Sequence, residues 1–172
     1  MDNNFFTYVD RMELLAFFSG YPLVYSMIIW IGGNVPSKMG IRSRMSSWLP
    51  YSYALVGTLY LGLQLRSLFP DYSFVHIRQS FQQPNLKIFG LLSLVFWIPA
   101  ISRKKVWSLM HSLVFFFLWI KDLSYQQLLE TSYDGHPARN SMIIYTVSLI
   151  LNLGTLAVIT ILLGLFGRFR QR

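Results

Sequence analysis

The sequence predicts an all-α fold: an integral membrane bundle of five transmembrane helices, N-terminus out and C-terminus in, forming a single domain over 1–172. Three observations predict it. Hydrophobic residues make up 53% of the chain and charged residues only 13%, where a soluble domain carries about 25% charged residues. Five runs lack Asp, Glu, Lys and Arg altogether: Leu14–Ser37, Met45–Leu65, Ile88–Ser102, Val106–Ile120 and Asn140–Gly167. The cations between those runs fall in short clusters on alternate sides.

A spanning helix needs about 20 mostly apolar residues. The first run supplies span one, approximately 13–32. Its leader holds Asp2, Asp10 and Glu13 against Arg11, the reverse of a positive signal n-region, so span one is read as a retained helix. Pro22 has no N–H, which frees the Phe18 carbonyl, and with Gly20 beside it a kink is predicted.

Span two, 48–68, carries Tyr53, Gly57, Tyr60 and Gln64 at spacings of four, three and four, a polar seam on one helix face. Loop 2 begins Phe69-Pro70-Asp71 and runs to Pro84. Asp71 suits an N-cap, and Phe74, Ile77 and Phe81 then share a face. A short interfacial helix is predicted there.

The third and fourth runs are short, and snorkelling Lys87 and Lys121 extend them to spans 86–102 and 105–123. A re-entrant hairpin would instead hold Arg103, Lys104 and Lys105 near the bilayer centre, at about 2.5–3.5 kcal/mol each. The full-span reading is therefore preferred. Asp134-Gly135 and Pro137 mark a turn. Span five, 141–166, carries a second seam: Tyr145, Ser148, Asn152 and Thr155 at three, four and three. Trp30, Trp48 and Trp107 fall near the inner ends of spans, as an aromatic belt requires.

Alternating the segments places nine cations and no acid on one side: Lys38, Arg42, Arg44, Arg103, Lys104, Lys105, Arg168, Arg170 and Arg172. The other side holds six cations and all seven acidic residues. The positive-inside bias sets N-terminus out, with the basic side facing anionic lipid. The net charge of +8 is thereby explained by membrane orientation, without a nucleic-acid partner. Tight loops point to the inner (plasma) membrane of a bacterium.

Cysteine is absent, which excludes disulfides, thiol relays and Cys-ligated metals. The motifs H-E-x-x-H and G-x-S-x-G and the P-loop are absent too. No cofactor is assigned: His111 is the only histidine within a span, and a b-type haem ordinarily takes two. Ser112 follows His111 directly and points to another face, against a Ser–His dyad. Tyr21, Tyr25, Tyr60, His111 and Asn152 fall near the bilayer midplane or slightly inside it. They form the candidate pocket for a lipid, quinone or porphyrin-like molecule. Glu13, Gln64, Arg66, Lys121 and Asp122 fall at one depth as an outer-rim polar cluster, with Glu13–Arg66 or Arg66–Asp122 pairing expected.

The run from Pro50 to Tyr60, notably Leu59-Tyr60, resembles the second span of the tryptophan-rich sensory proteins. Five spans with a basic turn between the third and fourth resemble that family's layout. The family's Trp- and Pro-rich loop after span one has no counterpart, and loops 2 and 4 are longer, so no residue is carried over. The leading functional expectation is an accessory or assembly subunit of a membrane complex, acting by association with another membrane protein or a second copy. The alternative is a small-ligand binding protein with an intramembrane pocket. Catalysis is not expected.

Overall fold

In a computed structural model, residues 3–34, 40–67, 69, 84–130 and 137–169 are described. Seven α-helices and one 3-10 segment form among them: α1 (Asn3–Phe18), α2 (Tyr21–Asn34), α3 (Gly40–Ser67), α4 (Pro84–Leu91), the 3-10 segment (Leu92–Trp97), α5 (Pro99–Ser102), α6 (Lys105–Glu130) and α7 (Pro137–Phe169). No strand forms among the described residues. The predicted loop 2 helix and the turn at Asp134-Gly135 lie outside them.

Three stretches are long and apolar enough to cross a membrane: Asp10–Trp30, Lys105–Tyr125 and Ser141–Leu163. This corrects the expectation of five, and the two shortfalls have different causes. α3 has 28 residues, about 42 Å at 1.5 Å per residue, so its length suffices. Its seam residues Tyr53, Tyr60 and Gln64, and the serines elsewhere on the helix, lower its hydropathy. α3 touches every other helical element, so most of its surface meets protein, and polar residues there cost little. The third predicted span fails on continuity. Only Asn85–Trp97 is an apolar helix, and the chain turns extended at Ile98 (φ −74°, ψ 119°). Pro99 is the reason, because its ring disfavours α geometry at the preceding residue.

The predicted kink is an outright break. α1 ends at Phe18 and α2 begins at Tyr21. The Gly20 N–H leaves the helical ladder and donates to Ser148 Oγ of α7 at 2.8 Å. The carbonyl that gains a side-chain partner is that of Phe17 rather than Phe18: it accepts from Asn152 Nδ2 at 2.9 Å. Two residues one turn apart on α7 thus supply the donor and acceptor that the interrupted backbone lacks.

Close approach depends on glycine at two positions. A Cβ on Gly20 would sit 2.7–2.9 Å from the backbone of Ser148 and Leu149. A Cβ on Gly57 would overlap the Ser93 hydroxyl, so α3 and the 3-10 segment meet there. Around these contacts lies an aromatic core. Phe18 stacks on Phe115 (4.9 Å between centroids) and meets Tyr53 and Tyr60 edge-on. Tyr21 packs on Tyr53 at 4.4 Å. Such pairs each contribute about 0.5–1.5 kcal/mol beyond their buried area.

Candidate functional site

The α3 seam is interior as expected: Tyr53, Gly57, Tyr60 and Gln64 are all buried. Its hydroxyl at position 53 begins a hydrogen-bonded chain. Tyr53 Oη lies 2.7 Å from His111 Nδ1, and His111 Nε2 lies 2.8 Å from the Phe89 carbonyl. A carbonyl only accepts, so Nε2 carries the proton and donates. Nδ1 is then the acceptor and Tyr53 the donor. Phe89 is in the last turn of α4, where helix carbonyls lack ladder partners. His111 therefore bridges a helix end to the central helix, with its ring stacked on Phe89 at 4.3 Å. Ser112 donates to the Leu109 carbonyl and takes no part.

Of the five predicted pocket residues, His111 is in the lining of the cleft described below, and Tyr21, Tyr25, Tyr60 and Asn152 are not. Tyr21 is fully buried and shares a hydrogen bond with Ser108 Oγ at 3.0 Å. Tyr25 is buried against Tyr21, with centroids 6.1 Å apart. Tyr60 is fully buried between Phe17 and Phe18, and its hydroxyl has no hydrogen-bond partner among the described residues. Asn152 sits at the α1–α2 break, donating to Phe17 and to Ser148. These four fill the packed core. His111 borders a cavity.

That cavity is a cleft of about 630 Å³, bounded by α4, the 3-10 segment, α5 and the start of α6. Phe89, Leu92, Val95, Phe96 and Met110 make its apolar walls, His111 forms part of its lining, and Lys104 and Trp107 also border it. Lys104 Nζ lies 5.9 Å from the Trp107 ring centroid. Both nitrogens of His111 are engaged, so the histidine offers the cleft ring surface and no uncommitted donor or acceptor. The volume falls in the range of small-molecule sites, about 300–1,000 Å³. Sequence reasoning missed this cleft because no polar spacing marks it. Its one legible sign is Pro99, which ends the third helix early and leaves the gap.

The rim residues are partly brought together. Glu13 accepts from Gln64 Nε2 at 3.4 Å. Asp122 pairs with Arg11 at 2.5 Å, and neither expected Arg66 pairing forms. Arg66 stands two residues past Gln64, off the buried seam, and is exposed, as is Lys121. Lys87 and Asp10 form a second ion pair at 2.8 Å, with the lysine side chain only 4% exposed. The sequence expectation of Lys87 as a snorkelling anchor is corrected, because its ammonium is buried on Asp10; neither ion pair is legible from sequence, because pairs across α1, α4 and α6 leave no local spacing.

Asp10→Asn is expected to cost about 2 kcal/mol, because it removes the carboxylate that lies 2.8 Å from the buried Lys87 ammonium. Asp10→Asn combined with Lys87→Met should recover most of that loss. Unfolding of the purified protein on titration of a denaturing detergent into a mild one measures both.

Comparison with protein-family models, with curated proteins and with solved structures finds no match to this chain.

Proposed function

We propose that this chain is a multi-pass membrane protein that binds a lipid-soluble small molecule in the lateral cleft beside His111. In this reading all five predicted segments lie in the bilayer: the first as the broken α1–α2 pair, the fourth and fifth as complete helices, α3 as the enclosed centre, and the third as an interrupted span. The basic turn at Arg103–Lys105 faces the inner side. The single observation that carries the reading is the cleft itself: an apolar hollow of about 630 Å³ at the point where Pro99 interrupts a helix. Elsewhere the interior polar groups largely serve the protein's own backbone, through Ser148, Asn152 and His111. An apolar cleft with no uncommitted histidine nitrogen favours a largely hydrocarbon or ring-containing ligand and supports binding without turnover.

A second reading rests on the exposed side chains of the interrupted third segment. Ile88, Leu92, Trp97 and Ile98 are each 42–53% exposed, an apolar strip along a segment too short to span by itself. A helix of a partner protein or of a second copy laid against that strip would complete the interrupted span, and the chain would then act as an accessory subunit.

Ala100 lines the cleft and is exposed, so Ala100→Trp fills it without disturbing the core. Mass spectrometry of molecules retained on purification in nanodiscs is the test. The wild type should retain one defined small molecule, and Ala100→Trp should lower its occupancy by at least about tenfold. A wild type that retains nothing beyond bulk lipid contradicts the proposal.

A further inference from the structure

A second cavity, of about 510 Å³, opens beside the same basic turn. Ser47, Trp48 and Tyr51 at the start of α3 line it, with Arg103 and Lys105 from the turn and Leu163 from α7. We propose that this cavity binds a phosphate group, carried by an anionic glycerophospholipid or by a soluble phosphate ester.

Two cations line the cavity, and no carboxylate does. Asp122 lies 17 positions beyond Lys105 on the same helix, about 26 Å away at 1.5 Å per residue. Asp10 and Glu13 are engaged at that same far end, with Lys87 and Gln64. Among the described residues the positive charge at this cavity is therefore uncompensated, so an anion is favoured there.

Geometry narrows the anion. Lys105 Nζ donates to Ser46 Oγ at 2.6 Å. This bond fixes the ammonium at the cavity's edge and uses one of its three donors. Arg103 adds a guanidinium fork, which matches two phosphate oxygens at once. The Tyr51 phenol and Trp48 indole bring amphipathic rings of the kind that sit at head-group depth. Leu163 gives the cavity an apolar wall, suited to the glycerol or chain end of a lipid. The cavity is distinct from the cleft, which contains neither Arg103 nor Lys105, so this proposal stands or falls independently of the first.

The test uses the full chain in nanodiscs of phosphatidylcholine with and without phosphatidylglycerol, with bound lipids read by native mass spectrometry. Arg103→Gln and Lys105→Gln are each expected to lower the apparent affinity for phosphatidylglycerol about tenfold, the effect of losing one charge-assisted hydrogen bond. Arg66→Gln removes the same charge at the opposite end and should leave the affinity unchanged. Arg103→Lys keeps the charge but not the fork and should fall between. Glycerol 3-phosphate is then added to the wild type. If it binds with the same dependence on Arg103 and Lys105 while phosphatidylglycerol does not, the site stands with a soluble ester as its ligand. Equal binding of both ligands by wild type, Arg103→Gln, Lys105→Gln and Arg66→Gln overturns the proposal.

Discussion

Gly20→Ala is expected to destabilise the folded chain by about 3 kcal/mol, near the upper end of overpacking costs. The new methyl would meet main-chain atoms of Ser148 and Leu149 at 2.7–2.9 Å, and a backbone cannot rotate aside as a side chain does. Relief requires α1–α2 to move off α7. That movement stretches the bond from the Gly20 N–H to Ser148 and the bond from Asn152 to Phe17. One methyl therefore threatens both repairs of the helix break. Gly62→Ala and Gly154→Ala are the controls, since a Cβ at either position meets nothing within 4 Å. Each should be neutral or stabilise by about 0.5–1 kcal/mol through helix propensity. Detergent-titration unfolding of the three variants side by side measures the contrast, and equal midpoints would show that the close approach at Gly20 does not hold the bundle.

The second large effect is expected at His111. His111→Ala should cost about 2–3 kcal/mol, below the full cost of truncating a buried aromatic ring because one side of His111 borders the cleft. The ring packs against Phe89, Phe96 and Phe115, and its loss also leaves the Tyr53 hydroxyl and the Phe89 carbonyl without partners. Tyr53→Phe removes only the donor to Nδ1 and should cost about 1–2 kcal/mol. His111→Phe with Tyr53→Phe should be less damaging than the sum of the single changes, because the second substitution removes the hydroxyl that the first one orphans. A double-mutant cycle in the same unfolding assay reads the coupling. Additive costs would mean that the Tyr53–His111 bond contributes nothing, and His111 would regain its standing as a functional group.

Much of this architecture is legible in the chain. The spacing of Tyr53, Gly57, Tyr60 and Gln64, and of Tyr145, Ser148, Asn152 and Thr155, places both seams inside: seven of the eight residues are buried and Tyr145 is half-buried. Their purpose is less legible. A polar residue at mid-helix reads equally as a ligand contact or as a patch for a broken backbone. Asn152 and Ser148 prove to be the second, because Gly20 and Pro22 interrupt a helix that lies across from them. Nothing in the α7 sequence identifies that partner. The third span shows the opposite difficulty. A charge-free run from Ile88 to Ser102 reads as continuous, yet Pro99 overrides composition locally, and the cleft forms where the helix stops. The ion pairs of Asp10 with Lys87 and Arg11 with Asp122 depend on which helices become neighbours, which no local spacing records.

The most direct test of the central claim, that the cleft and not the polar core is the working site, is photocrosslinking in native membranes. A photoreactive residue replaces Met110, which lines the cleft, and in a second preparation replaces Ile150, which is exposed on α7. One small-molecule adduct of defined mass is expected at position 110, with only scattered bulk-lipid adducts at 150. A protein adduct at 110 would transfer the cleft to a partner helix. The same scattered adducts at both positions would contradict the claim.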